Sequence, residues 1–135
     1  MGSPAEIVRA ARPGHAVVGW KLLSGEREEL LRAFPPRYRT TVADHVTLAA
    51  RVAAQTPTPG DVTGLLVGHI DDGQGVEALV VEIDGGTSRP GGGTWHVTWS
   101  LADGRRAKES NDVLARKMWS PLREPVQIRL VGARL

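Results

Sequence analysis

Short apolar runs rich in β-branched residues, each bounded by turn residues, make up most of this chain. Such runs are typical of strands rather than helices. The runs predicted as strands are 15–23, 45–52, 64–71, 76–84, 94–101 and 126–135. Turns containing Gly, Pro or Asp separate them, and Asp72-Gly73 indicates a hairpin. A chain with this pattern is expected to fold around a sheet.

Two longer segments have helical features. The first has Ser24 as its predicted N-cap and ends at Pro35-Pro36, and the second runs from Ser110 or Asn111 to about Trp119. The predicted order is strand, helix, four strands, helix and strand. This order favours an α+β fold with two helices and a largely antiparallel sheet.

The length and composition indicate one soluble globular domain. With 135 residues, we expect a single domain over 1–135, with 1–14 as an N-terminal extension that contains a short helical segment. Cysteine is absent, which excludes disulfides and thiolate chemistry. No apolar run reaches the roughly 20 residues of a membrane span, and no secretory signal is recognisable. We therefore expect a cytoplasmic monomer. Its net charge of +2 suits a phosphate-bearing ligand.

The same tripeptide, His-Val-Thr, occurs in two of the predicted strands. One copy is His45-Val46-Thr47 and the other is His96-Val97-Thr98, and they hold two of the four histidines of the chain. Side chains alternate between the two faces of a strand, so each histidine shares a face with the threonine two residues later. The intervening valine points to the opposite face, together with Asp44, Leu48, Trp95 and Trp99. Each motif therefore presents an imidazole beside a hydroxyl.

Two imidazole–hydroxyl pairs are suited to chemistry at phosphorus. Histidine exchanges a proton near neutral pH, so two histidines supply a general acid and a general base. Threonine hydroxyls can donate hydrogen bonds to phosphate oxygens. An in-line displacement needs the acid and the base on opposite sides of the phosphorus atom, and two strands beside one groove could place them there.

These motifs resemble those of the 2H phosphoesterases, a superfamily with two His-x-Thr/Ser motifs on symmetric lobes around a cleft. The stretches ADHVTLA and WHVTWSL…ESND look most like the compact branch related to tRNA-ligase cyclic phosphodiesterase domains and RNA-repair proteins. The resemblance implies a pseudo-duplicated, two-lobed fold. It also implies hydrolysis of 2′,3′-cyclic phosphates without a metal or other cofactor, on an RNA end or a nucleotide. By this analogy His96 is the base, His45 the acid, Thr47 and Thr98 bind the phosphate, and the product is a 2′-phosphate.

Several other polar residues are candidates for substrate binding. Ser100 continues the face of His96 and Thr98, and Tyr38 and Arg39 lie in a basic segment before the first motif. Further basic residues that could line the mouth of a site are Arg37, Arg105, Arg106 and Lys108. The glycine-rich segment Gly85 to Gly93 lacks the ending of a nucleotide-binding P-loop and is interpreted as a mobile flap.

The sequence leaves two alternatives open. The first is a module that binds phosphate or RNA without turnover, although retention of two histidines argues against it, since arginine would suffice for binding. The second is a phosphodiesterase that acts on cyclic dinucleotides, oligoadenylates or ADP-ribose cyclic phosphate.

Overall fold

The computed structural model describes residues 2–135, in which the chain forms three helices and seven strands. The helices are α1 (Pro4–Ala10), α2 (Ser24–Ala33) and α3 (Glu109–Arg116). The strands are β1 (Pro13–Leu22), β2 (Thr40–Thr41), β3 (His45–Val52), β4 (Val62–Asp71), β5 (Val76–Glu82), β6 (His96–Leu101) and β7 (Ser120–Arg134). The predicted α+β class is confirmed, and the N-terminal extension contributes a third helix.

The strands form one antiparallel sheet in the order β2-β6-β3-β1-β7-β4-β5. In addition β5 pairs with β6, so that the sheet closes on itself. The resemblance implies two lobes, each with its own motif strand. In the structure the motif strands β3 and β6 are direct neighbours, so the lobes are not independent sheets.

The closed sheet surrounds the main hydrophobic core. Trp20, Trp95 and Trp99 are at most 3% exposed, and the rings of Trp20 and Trp95 meet edge to face with centroids 5.3 Å apart. Buried indole N–H groups require acceptors. Trp20 Nε1 donates to the Gly60 carbonyl at 2.8 Å, and Trp99 Nε1 donates to the Phe34 carbonyl at 2.7 Å. The face of β6 that carries Val97 and Trp99 is therefore structural, as the alternation predicts, and Trp95 directly before the strand packs with it.

A smaller apolar cluster lies on the outer face of the sheet beneath α3. Its buried members are Ile70, Val76, Ala78, Leu101 and Val113. Because β5 contributes to both clusters, this strand is buried on both faces except at Glu82. The packing holds α3 against the outer face of the sheet, beside the second motif.

Element boundaries differ from the predictions where tertiary contacts act. Ser24 is the first residue of α2 rather than its N-cap, which is Leu23 and makes no side-chain capping bond. The last strand begins at Ser120 and includes Pro121 and Pro125, which were expected to lie outside it. The β4–β7 pairing shifts register between Leu66 and Gly68. Such an irregularity accommodates proline, which has no backbone N–H to donate to the neighbouring strand. Within residues 2–135, no helix is both long and apolar enough to cross a bilayer.

Candidate functional site

The two motifs meet where β3 and β6 pair. Val46 lies opposite Val97 in this antiparallel pair, and both valines are fully buried. In the same register His45 lies opposite Thr98 and Thr47 lies opposite His96, because residue numbers increase in opposite directions along two antiparallel strands. All four motif residues line one cavity of about 640 Å³ on the outer face of the sheet. The structure thus brings together the imidazoles and hydroxyls that the sequence pairs.

His96 is set up to accept a proton. Its side chain is 8% exposed, and Nδ1 lies 2.8 Å from the Thr94 carbonyl oxygen. A carbonyl only accepts, so Nδ1 carries the hydrogen and Nε2 of the neutral ring has a free lone pair. Burial lowers the pKa of His96, the Thr94 hydrogen bond opposes this, and the nearby positive charges of Arg89 and His45 lower it further. His96 is therefore neutral at neutral pH.

His45 has a different environment, with a carboxylate beside it. Its Nδ1 lies 3.1 Å from Asp44 Oδ2, and Lys21 Nζ lies 3.6 Å from the same oxygen. Asp44 was predicted to point with the core valines. It precedes β3 instead, next to Ala43 with its left-handed φ of 43°, so the strand alternation does not apply to it. The Asp44 carboxylate orients the His45 ring by accepting a hydrogen bond from Nδ1.

The two threonines differ in what their hydroxyls contact. Thr98 Oγ1 lies 2.8 Å from Ser110 Oγ and 3.3 Å from the Ala107 carbonyl oxygen, and the side chain is 6% exposed. The single hydroxyl hydrogen of Thr98 is thus used within the protein. Thr47 is partly exposed and its hydroxyl has no partner among residues 2–135. Thr47 is the motif hydroxyl that is free to donate to a ligand.

Arg89 is a cavity residue that sequence reasoning missed. Its Nε donates to the Gly92 carbonyl at 3.0 Å and its Nη2 to Asn111 Oδ1 at 2.9 Å. Nη1 lies 3.5 Å from the Thr47 carbonyl oxygen. Burial lowers the pKa of Arg89, and no carboxylate of the described residues forms an ion pair with it. A half-buried guanidinium without a counter-ion, beside both motifs, favours an anionic ligand.

The loop that carries Arg89 is ordered by hydrogen bonds. The Gly92 N–H donates to the Arg89 carbonyl at 3.0 Å, and Gly91 has a φ of 87°. Pro90 followed by a glycine of positive φ is the signature of a type II turn. A bridge between Ser88 and Thr94 closes the hairpin below it. The segment predicted as a mobile flap is therefore a tight hairpin that presents Arg89 to the cavity.

The charged side chains of the cavity are all basic. Besides the two histidines they are Arg12, Arg51, Arg89 and Lys108, and no aspartate or glutamate of the described residues lines it. Of the basic residues predicted to line a mouth, only Lys108 does so. Arg105, for example, pairs with Asp72 and Glu109 away from the cavity. The cavity consequently has a positive potential suited to phosphate.

The three predicted substrate-binding residues Ser100, Tyr38 and Arg39 do not line the cavity. Ser100 is fully buried and donates to Glu77 Oε1 at 2.6 Å, while the Tyr38 hydroxyl donates to Asp71 Oδ1 at 2.5 Å. Arg39 reaches Asp103 on the surface. Ser100 does share the strand face of His96, but a buried polar network covers it, so the predicted contact with substrate has no basis in this geometry.

Among residues 2–135, no group of three or more His, Asp or Glu side chains is placed to hold a metal ion. No family model matches the chain, and neither a curated protein nor a solved structure matches it. The chemistry that the cavity can perform therefore rests on its own side chains.

Proposed function

We propose that this protein is a phosphodiesterase that hydrolyses 2′,3′-cyclic phosphates without a metal, at an RNA end or on a nucleotide. One observation carries the proposal: both His-Val-Thr motifs line a single cavity whose charged residues are all basic. An acid, a base and cationic donors around one space are the requirements of phosphoryl displacement without a metal.

The surroundings of the two histidines support His96 as the general base and His45 as the general acid. Nε2 of His96 accepts a proton from water as the water oxygen attacks phosphorus. The bond from phosphorus to the ribose 3′ oxygen breaks, and that oxygen takes the proton from Nε2 of protonated His45. The product is a 2′-phosphate, and the two histidines finish with exchanged protonation states. The lowered pKa of His96 and the carboxylate of Asp44 beside His45 both favour this assignment.

Charge on the non-bridging oxygens increases as the phosphorus becomes five-coordinate. Arg89 and Lys108 are the cations near the motifs, and Thr47 supplies a free hydroxyl. Donors that are already positioned stabilise this charge without reorganising during the reaction. Arg89 is positioned in advance by its bonds to Gly92 and Asn111. The proposed biological setting is RNA repair or processing in the cytoplasm.

Turnover of 2′,3′-cyclic mononucleotides and of RNA ends with a cyclic phosphate tests the proposal. The wild type should hydrolyse at least one of them in the presence of EDTA. His45→Ala and His96→Ala should each lower kcat by about 10²–10⁴-fold, the usual contribution of a positioned acid or base. Binding of the nucleotide should persist, because Arg89, Lys108 and Thr47 remain. His15→Ala, which changes an exposed histidine outside the cavity, is the matched control.

Two results would contradict the proposal. The first is a wild type that binds cyclic nucleotides yet opens none of them, which would favour the binding module. The second is activity that EDTA abolishes and a divalent ion restores. Preferential hydrolysis of cyclic dinucleotides or ADP-ribose cyclic phosphate would retain the site but change its substrate.

A further inference from the structure

The cavity extends well beyond the two motifs. From Thr47 it follows β3 to the end of the strand at Val52, where Arg12 and Arg51 line it. Thr47 and Arg51 are four residues apart, which is about 13 Å at the usual strand rise of about 3.3 Å per residue. A ligand that contacts both the histidines and these arginines is therefore extended along β3, and a second anionic group on it would suit the arginine end.

Arg12 and Arg51 lie at the same end of the cavity. The Ala53 N–H donates to the Arg12 carbonyl at 2.7 Å, and Pro13 pairs with Val52. Both side chains are exposed, and neither guanidinium has a hydrogen-bond or ion-pair partner within residues 2–135. Two neighbouring cations without a counter-ion attract an anion.

The backbone at Arg51 is unusual for a side chain of this size. Its φ is 56°, in the left-handed region where glycine or asparagine is the common choice. The β1–β3 pairing is irregular here, because Ala50 and Arg51 lie between two residue pairs that have only Val17 between them on β1. Such bulges redirect side chains, often next to functional sites. Arg51 lines the cavity at this irregularity, near the end of β3.

Between the two basic ends the walls are small and apolar. They include Val8 from α1, Ala11 directly after that helix and Ala49 from β3. Such walls can accommodate a sugar or a base without unpaired polar groups. The order along the cavity is thus an acid–base pair with cations, an apolar section, and a second pair of cations. This order matches a chain of alternating phosphates and nucleosides.

We propose that Arg12 and Arg51 form a second phosphate subsite, which holds the backbone of a single-stranded oligoribonucleotide whose terminal phosphate lies at His45 and His96. The inference rests on the proposed function for the identity of that terminal group. It selects an RNA end over a free mononucleotide as the preferred substrate, because a cyclic mononucleotide has no phosphate for the second subsite.

The test compares ligands and charge-matched variants. Arg12→Gln combined with Arg51→Asn removes both charges, and asparagine tolerates the left-handed backbone at position 51. Arg32→Gln combined with Arg123→Gln removes the same charge from exposed positions outside the cavity. Binding is measured in a His96→Ala background by anisotropy of a 5′-labelled short oligoribonucleotide that ends in a 2′,3′-cyclic phosphate. Competing ligands are the cyclic mononucleotide and its 5′-diphosphate form.

The Arg12/Arg51 double variant should bind the oligoribonucleotide on the order of tenfold more weakly, the usual consequence of losing charge-assisted phosphate contacts. Its affinity for the cyclic mononucleotide should fall by much less, so the discrimination between the two ligands decreases. The slope of log affinity against log salt should decrease by roughly 0.7 for each lost phosphate contact. The control variant should keep the discrimination and the slope of the parent. Melting temperatures verify that both variants are folded.

The other possible outcomes of the binding test each contradict part of this proposal. Equal losses for the oligoribonucleotide and the mononucleotide, or equal losses in the control, would overturn the second subsite. If the double variant loses as much affinity for the 5′-diphosphate nucleotide as for the oligoribonucleotide, the ligand of the second subsite would be a small nucleotide and not RNA. Failure of the proposed function would give a different result from failure of the second subsite. A wild type that hydrolyses no cyclic phosphate, together with the expected loss of oligoribonucleotide affinity in the Arg12/Arg51 variant, would support the subsite and contradict catalysis.

Discussion

Thr47 and Thr98 occupy equivalent positions in the two motifs, yet they are in different environments. The Thr98 hydroxyl contacts the fully buried Ser110 and the Ala107 carbonyl, whereas that of Thr47 is free in the cavity. A hydroxyl has one hydrogen, so a threonine that uses it internally has none for phosphate. The motif repeat therefore leaves one hydroxyl free in the cavity and uses the other within the protein.

Alanine substitutions should separate these roles. Thr47→Ala should lower kcat/KM by about 10- to 150-fold, since one charge-assisted hydrogen bond is worth about 1.5–3 kcal/mol, and should leave stability nearly unchanged. Thr98→Ala leaves a buried Ser110 hydroxyl without its partner, so unfolding in urea should reveal a loss of about 1–3 kcal/mol. Thr47→Ser and Thr98→Ser keep the hydroxyls and serve as controls. Unchanged kcat/KM in Thr47→Ala would remove Thr47 from the site.

At the scale of elements, the hairpin between β5 and β6 determines where Arg89 lies. Its type II turn needs a residue of positive φ at Gly91. A side chain at Gly91 would also approach the Val8 side chain of α1 to 3.2 Å. The turn and α1 thus enclose the cavity together, and the position of the turn determines the position of the guanidinium.

Gly91→Ala should impair both the fold and the site. The left-handed backbone costs a non-glycine residue about 1–2 kcal/mol, and displacement of the turn moves Arg89, so kcat/KM should fall together with stability. Gly73→Ala is the matched control, because Gly73 has a φ of 71°, open space around it and no place in the cavity. That variant should lose comparable stability in urea and keep its kcat/KM. Equal activity losses in both variants would argue against a positioning role for the turn.

At the scale of the whole molecule, a buried polar network joins the segment after α2 to the sheet. Glu77 is 2% exposed and accepts hydrogen bonds from Ser100 Oγ and the Arg37 N–H, while His69 Nε2 lies 2.8 Å from its other oxygen. Burial raises the pKa of Glu77, but these bonds outweigh it and hold the pKa below its usual value near 4.5. The network has a structural role outside the cavity.

Glu77→Gln should therefore destabilise the protein in a pH-dependent way. A carboxyl with a depressed pKa contributes stability above its unfolded value, and this contribution is lost as the pH falls through its folded value. In urea near pH 7 the variant should lose about 2 kcal/mol, because hydrogen bonds to a buried charge are weakened. The difference from wild type should shrink below pH 4.5. Glu82→Gln, on the same strand without a hydrogen-bond partner among the described residues, should show little loss at either pH.

The strands and the faces of the motifs follow from the sequence alone. Alternation assigns Val46 and Val97 to the core and the histidines to the opposite face, and β3 has the predicted bounds of His45–Val52. The reason is local: the strand period and the turn residues act over a few positions and need no knowledge of distant partners. The α+β class follows from the order of such segments.

Only the tertiary structure decides which residues complete the site. Arg89 enters the cavity because a turn and the bond to Asn111 direct it there. Tyr38 and Ser100 are excluded because the closure of the sheet sets them against Asp71 and Glu77. These contacts join residues far apart in the chain, and the register that creates them depends on the packing of the whole core.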